Sequence, residues 1–435
     1  MEERRPEAAM AAGEIGAPQS APVPPFSASK TEMLAAFAMY AAAYVYACWF
    51  WWTDDSRARW LAMFTLAYVA LTELLHRNTP RPRESWVWLG CMGLILSGII
   101  LDRDQVWGTY APYFLHIFAV WWALSRSGRL LEGESGHLLP LDVFDGFALF
   151  PFRHFFLRVR TVCYTFTHPR SGRGRVQPET AAWTALALLS ASALFVLSVN
   201  LLAGADEGFA GLLSSLTGIF RVDWDGRLVI FRFLLSLPVG AYLFGLLAGT
   251  GREETEKLRR RAGNVNRALE QLRKVPGRVW LILTGLFCLL YLAFFAVQAR
   301  YLFGAFTRTL PEGFIVSEYA RRGFFELCQV MSVNFVLLWL VTRSSREEVH
   351  SSAPAKALCL ALLGESFLFA VVAFSKLGLY ISCFGFTPLR LQSTWLVCVL
   401  AFGCLCAALS LLHEKKTFRV WMIFGAVTLS LLHLY

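Results

Sequence analysis

Long apolar runs are the feature of this chain that most restricts its fold. Runs of roughly 16 to 22 residues recur along the 435 residues, and a helix of that length crosses the ~30 Å hydrocarbon core of a bilayer. The runs are continuously apolar rather than alternating, which excludes a membrane β-barrel. The composition agrees, because 56% of the residues are hydrophobic and only 17% are charged, whereas a soluble domain is nearer a quarter charged. The sequence therefore predicts an all-α, polytopic helical membrane protein.

About 11 transmembrane helices are predicted. They lie near residues 33–52, 60–75, 86–101, 110–124, 182–202, 228–247, 279–297, 323–341, 357–374, 395–412 and 418–434. The second and fourth are short and contain Glu73 and His116. Residues 1–30 are rich in Pro, Ala and Glu, a composition that cannot form a core, so they are predicted to be a disordered cytoplasmic tail. Residues 31–435 then form the integral membrane domain.

The basic residues predict the orientation. The formal net charge is +10, and Lys and Arg concentrate in alternate segments, 29 on one side against 11 on the other. Because Lys and Arg are retained on the cytoplasmic side, this alternation predicts a cytoplasmic N-terminus and an extracytoplasmic C-terminus. The basic excess is thus an insertion signal, and no nucleic-acid partner is predicted.

Two long cytoplasmic loops are predicted, near residues 125–180 and 250–278. Within the first, residues 141–166 are rich in Phe and contain Arg153, Arg158 and Arg160. This composition favours a helix lying in the headgroup region, with its guanidinium groups directed toward lipid phosphate.

The second loop contains an amphipathic helical pattern. Its apolar residues recur at spacings of 4, 3, 4 and 3, and they are Leu258, Ala262, Val265, Leu269 and Leu272. One interpretation is that residues 253–275 dock a membrane or cytoplasmic protein partner, or anionic lipid. The alternative is that the helix packs on the protein's own cytoplasmic surface.

A cluster of polar residues is predicted at the outer membrane boundary, where spans seven to ten form a site. Its members are Arg300, Tyr301, Glu318, Tyr319, Arg321, Arg322, Glu326, Lys376, Tyr380 and Arg390. In one interpretation, Glu318, Arg322 and Glu326 form i,i+4 ion pairs that fix helix packing. In the other, Arg321 and Arg322 bind an anionic lipid headgroup or small solute through bidentate contacts, with Glu326 as counter-charge or proton carrier.

A separate carboxyl group, that of Glu365, lies near the middle of the ninth span. A carboxyl group at this depth is expected to be protonated or paired. Proton or ion coupling is one interpretation, and an interhelical hydrogen bond is the other. The ten cysteines include no CxxC pair and no His-Cys cluster, so no metal site or disulfide framework is predicted, and no cofactor is predicted either.

Three segments resemble a known family. They are residues 298–304 (QARYLFG), residues 317–327 (SEYARRGFFEL), and Tyr380 with residues 384–390 (FGFTPLR). Together they resemble bacterial multi-pass membrane proteins of the domain of unknown function 4173 group and its relative 4153, over about residues 279–392. The resemblance implies a bacterial inner-membrane protein and brings no activity, substrate or catalytic residue.

Two functional hypotheses follow. The favoured one is a non-enzymatic inner-membrane protein whose outer-face site binds an anionic lipid, a small solute or a partner protein, including the case of a transporter. The alternative is a membrane-embedded glycosyl- or phosphoglycosyl-transferase that uses a lipid-linked donor. This alternative is suggested by the acidic pair Asp54 and Asp55 in the first outer loop. Arg57 and Arg59 lie beside the pair and can form ion pairs with those aspartates.

Overall fold

The computed structural model of the chain describes residues 26–51, 57–103, 106–167, 226–307, 324–413 and 415–435, with single helical positions between 195 and 211. At 226–227 and 298–307 it describes the backbone alone. The predicted tail before residue 26, the predicted fifth span and the pair Asp54 and Asp55 lie outside the described residues.

The described residues are almost entirely α-helical. The helices are α1 (Lys30–Phe50), α2 (Arg57–Leu75), α3 (Glu84–Ile100), α4 (Ala111–Ser127), α5 (Leu139–Phe144), α6 (Phe150–Arg153), α7 (Leu157–Thr167), α8 (Gly226–Arg252), α9 (Thr255–Gln271), α10 (Gly277–Thr307), α11 (Phe324–Ser344), α12 (Ala353–Phe384), α13 (Pro388–His413) and α14 (Phe418–Leu432). A short 3₁₀ helix, Gly108–Tyr110, precedes α4, and a π-helical turn, Asp145–Leu149, joins α5 to α6.

Seven of these helices contain a stretch long and apolar enough to cross a membrane, namely α1, α2, α8, α10, α11, α12 and α13. Two further helices, α3 and α14, are apolar but shorter. The chain is therefore an all-α polytopic membrane protein, as the sequence predicts. The count of eleven spans stays a prediction, because α4 is not among these nine helices and the fifth predicted span is not described.

The spans form two bundles, each with its own hydrophobic core. The first core lies among α1 to α4 and α8, and the second among α10 to α13. Helix α14 packs against both, on α3 and on α13. Its end approaches α3 so closely that a Cβ atom at Gly98 would overlap the carbonyl oxygen of His433, so only glycine fits there.

One end of the two bundles is here called the basic face. It consists of the described segments that connect helices at that end, residues 75–84, 127–139, 252–277 (which include α9), 344–353, 413 and 415–418. Ion pairs tie it together: Arg126 lies 2.9 Å from Glu73, and Arg252 lies 2.8 Å from Glu32 at the start of α1. Glu32 also completes a capping box with Ser29, so one carboxylate both starts α1 and anchors the end of α8.

The Phe-rich segment forms the short helices α5, α6 and α7; α6 packs against α8, and α7 packs against α1 and α8. The expectation that Arg158 faces lipid phosphate is wrong. Its side chain is buried, its Nη2 donates a hydrogen bond to the carbonyl oxygen of Leu237 at 3.2 Å, and its guanidinium group lies 4.0 Å from the ring centroid of Tyr40. The guanidinium group contacts the Tyr40 ring and the Leu237 carbonyl oxygen instead of a lipid phosphate, because α7 packs between α1 and α8.

The predicted amphipathic helix forms as α9. Leu258 and Ala262 are buried, and Arg261 binds the buried Asp145 with both carboxylate oxygens at 2.7 Å. The first half of α9 thus packs on the protein's own surface, whereas Leu272, just past its end, is exposed. Docking of a partner along 253–275 stays a prediction.

Candidate functional site

Most of the predicted outer-face site lies outside the residues that the structure describes. Glu318, Tyr319, Arg321 and Arg322 are not described, and Arg300 and Tyr301 belong to the part of α10 described by its backbone alone. Their contacts with one another therefore stay a prediction.

The structure brings the remaining four residues together in two pairs. Lys376 on α12 is fully buried and is attracted electrostatically to Glu326 in the first turn of α11. Arg390 lies over the Tyr380 ring, 4.2 Å from its centroid, and its Nη1 donates a hydrogen bond to the carbonyl oxygen of Phe384 at 2.8 Å. Arg390 thus stabilises the turn between α12 and α13.

Glu365 lies in the second bundle beside a buried chain of polar groups. The Tyr291 hydroxyl donates to Asn334 Oδ1 at 2.7 Å, and Asn334 Nδ2 donates to Ser366 Oγ at 2.7 Å. Glu365 itself is half-buried near Cys288, and its Oε2 makes no hydrogen bond. Asn334 thus links three helices at this depth, and both interpretations of Glu365 stay predictions.

A different site lies on the basic face, where the two bundles meet. A cavity of about 830 Å³ opens there between residues 128–137, α9, the ends of α11 and α13, and residues 416–419. Its volume falls within the ~300–1,000 Å³ typical of small-molecule sites. We call it the basic cavity.

Glycines shape one wall of the basic cavity. Gly128 ends α4 in the left-handed conformation, with φ of 67°, and Gly133 repeats this conformation with φ of 79°. Glycine adopts positive φ without the steric cost that other residues incur, so the segment can turn twice within ten residues.

The acidic groups of the wall are all engaged. Glu132 pairs with His137 at 3.1 Å, and Glu134 pairs with Arg419. Arg419 also lies 3.1 Å from the buried Glu84 of α3. Each of these carboxylates therefore already has a partner, although Glu84 and Glu134 share the single charge of Arg419.

Three cations of the lining form no ion pair within the described residues. They are Arg259 on α9, Arg343 in the last turn of α11, and Lys416 between α13 and α14. Arg343 is half-buried and the other two are exposed. Each belongs to a different segment, and only folding brings the three to one cavity. The arrangement provides two guanidinium forks and an ammonium group, which suit an anion such as a phosphate or carboxylate.

Two buried aspartates next to the cavity have raised pKa values. Burial raises the pKa of Asp142 to about 7, opposed by the hydrogen bond from the Leu131 backbone N–H at 2.8 Å. Burial likewise raises the pKa of Asp145, and the Arg261 guanidinium lowers it. Among the described residues, no group of three or more His, Cys, Asp or Glu side chains is placed to hold a metal ion.

Sequence reasoning missed the basic cavity. The arginines of α9 were the one signal available, and they predicted a basic surface rather than a concave site. The sequence predicts Arg343 and Lys416 only as basic residues in two separate connections between spans. Nothing in the local sequence indicates that they lie close to Arg259 in space.

Comparison with known proteins gives one match. Residues 39–435 match the family described as Domain of unknown function (DUF4153). The chain belongs to this family. No curated protein and no solved structure matches it. DUF4153 is the second of the two groups that residues 279–392 resemble, and the likeness to 4173 stays a prediction. The DUF4153 match covers both bundles, so it includes every segment that lines the basic cavity.

Proposed function

We propose that this DUF4153 protein binds an anionic ligand in the basic cavity. The observation that supports the proposal is the imbalance of charge in the lining: four cations stand against the carboxylates of Glu132 and Glu134, and Arg259, Arg343 and Lys416 are not paired with a described residue. Three like charges around one concave space repel each other, and an anion between them relieves that repulsion.

The proposal includes a location. We place the chain in a bacterial inner membrane with the basic face toward the cytoplasm, because Lys and Arg are retained on that side during insertion. The C-terminus then lies on the extracytoplasmic side. A ligand of the basic cavity comes from the cytoplasm or from the inner leaflet.

The test uses the full chain purified in a non-ionic detergent, with sn-glycerol 3-phosphate as the probe anion and calorimetry as the readout. Arg259→Gln, Arg343→Gln and Lys416→Gln are each expected to weaken binding about tenfold, since a charge-assisted hydrogen bond contributes about 1.5–3 kcal/mol and tenfold corresponds to about 1.4 kcal/mol. Arg343→Lys is expected to weaken it as well, because the fork is lost.

Arg260→Gln is the matched control. Arg260 neighbours Arg259 on α9 but does not line the cavity, and it pairs with Glu256 at 3.2 Å. Its substitution is expected to leave binding unchanged. Equal losses from Arg259→Gln and Arg260→Gln would mean that the probe senses the overall positive charge of the face, and the proposal would then be wrong.

The outer-face site is a second candidate for anion binding. It is favoured by the buried Lys376, which lies at the same end of the second bundle as Glu326 and Arg390. The ammonium group of Lys376 adds positive charge near the membrane boundary, and together with Arg321 and Arg322 it would attract an anionic lipid or solute.

A further inference from the structure

An apolar groove leads away from the basic cavity. It has a volume of about 450 Å³ and lies between α11, α13 and α14. The groove and the basic cavity share four lining residues, which are Arg343, Ser410, Thr417 and Phe418. One end of the groove is therefore continuous with the site that carries the three cations.

The lining of the groove changes from polar to apolar away from Arg343. The distance along α11 from Arg343 to Phe335 is about 12 Å, since a helix rises ~1.5 Å per residue. Over this length the groove is lined by Leu338, Trp339 and Phe335 on α11, and by Ala407 and Gly403 on α13. Trp339 is half-exposed, so the groove is open on the side that faces hydrocarbon.

The far end of the groove is closed by an aromatic pair. The rings of Phe335 and Trp421 are stacked, with their centroids 5.4 Å apart. A Cβ atom at Gly403 would lie 2.9 Å from Phe335 Cζ, so glycine is what allows the pair to cover α13. Trp421 is held in place by the hydrogen bond from its Nε1 to the Val399 carbonyl oxygen at 2.8 Å.

The other charged groups of the groove are already satisfied. Arg273 pairs with Glu348 at 3.1 Å, and His350 Nδ1 contacts the carbonyl oxygen of Leu411 at 3.2 Å. Arg343 is therefore the charged residue of the groove that forms no ion pair with a described residue, and it stands where the groove meets the basic cavity.

We propose that the ligand is an anionic glycerophospholipid, with its phosphate between Arg343, Arg259 and Lys416 and one acyl chain in the groove. This inference rests on the proposed anion site and names its ligand. A small soluble anion would use the cavity and leave the groove without an occupant. An apolar helix of another protein would fill the groove and leave the cations without a counter-charge. A phospholipid satisfies both, because its charge and its hydrocarbon meet at the depth where α11 ends.

The first experiment measures lipid retention. The full chain is purified in non-ionic detergent, incubated with dioleoyl phosphatidylglycerol or dioleoyl phosphatidylcholine, and examined by native mass spectrometry. One bound phosphatidylglycerol is expected, with at least tenfold weaker retention of phosphatidylcholine. Equal retention of the two lipids would overturn the inference, because the cations would then play no part in selecting the ligand.

The second experiment separates the groove from the cavity. Ala407→Phe places a ring in the groove and is expected to reduce phosphatidylglycerol retention at least tenfold while sn-glycerol 3-phosphate still binds. Trp339→Ala removes a wall of the groove without adding volume, so it is expected to weaken retention without overpacking the core. Leu405→Phe, at an exposed position of the same helix outside the groove, is the control and is expected to change neither.

The outcomes distinguish the two proposals. If wild-type protein does not bind sn-glycerol 3-phosphate and Arg343→Gln retains phosphatidylglycerol, the anion site itself is wrong. If wild-type protein binds sn-glycerol 3-phosphate but retains no phosphatidylglycerol, or if Ala407→Phe and Trp339→Ala retain it fully, the anion site stands and the lipid inference fails.

Discussion

Arg419 on α14 and Glu84 on α3 form an ion pair, at 3.1 Å, that joins the last helix of the chain to the first bundle. The carboxylate is almost fully buried, and it also accepts hydrogen bonds from Trp88 Nε1 at 2.8 Å and from the Ser135 backbone N–H at 3.1 Å. One acidic residue thus holds together a helix start, the glycine-containing wall of the basic cavity and the last helix of the chain.

Glu84→Gln is expected to lower the free energy of unfolding by about 1.5–3 kcal/mol, because the buried carboxylate that accepts from Arg419, Trp88 and Ser135 is replaced by a neutral amide. Thermal unfolding in detergent measures this. Glu256→Gln is the control: its partner Arg260 is exposed, so a loss within about 0.5 kcal/mol is expected. Similar losses from both substitutions would show that the Glu84 pair is no stronger than a surface pair.

Asp142 is expected to make stability depend on pH. Its pKa is about 7 in the folded protein and 3.8 ordinarily, so between these values the folded state holds a proton that the unfolded state has released. Stability should therefore fall as the pH rises from about 4 to 7, and the contribution is lost above pH 7. Asp142→Asn mimics the protonated acid, so it should raise the melting temperature at pH 8 and leave it unchanged at pH 4. A lower melting temperature of Asp142→Asn at pH 8 would mean that the ionised carboxylate stabilises the folded protein, and the raised pKa would then be wrong.

Glu365 and Glu326 are expected to respond differently to conversion to Gln. Glu365→Gln should be nearly neutral for stability, since no basic residue among those described pairs with it. Glu326→Gln should cost more, because the fully buried Lys376 loses its nearby negative charge. Thermal unfolding of both variants in detergent compares them. Equal, large losses would show that Glu365 is an ionised partner rather than a neutral acid.

The outer-face arginines are expected to be required for function if they bind an anion. Replacing Arg321 and Arg322 together with Gln should abolish complementation of a deletion strain while the amount of folded protein is unchanged. The single changes to Lys should also fail, because the charge is kept and the bidentate fork is lost. A parallel drop in folded protein would favour structural ion pairs with Glu318 and Glu326.

The orientation is open to a direct test. A phosphatase reporter that is active only outside the cytoplasm should be inactive when fused at Gly263 on α9, and active when fused after Tyr435. Activity at Gly263 would place the basic face outside, and the proposed ligand would then come from the opposite side of the membrane.

The sequence by itself determined the class of fold and the course of the chain. A run of about 20 apolar residues must form a helix in hydrocarbon, since its backbone groups find no other partners there. The start of α1 is equally local, because the Ser29–Glu32 capping box spans only four residues. The spacing of Leu258 and Ala262 was enough to predict α9 and its buried face.

Only the tertiary structure decided which polar residues meet. The residues around Arg158 have the composition of a lipid-facing helix. Arg158 is nevertheless buried against Tyr40, because α7 lies between α1 and α8. The basic cavity depends on Arg259, Arg343 and Lys416 coming from three separate connections. Their approach is set by how α14 packs on α3 and how the 128–137 segment turns. Hydrophobic periodicity fixes the face of each helix, but it carries no information about which helix ends lie side by side.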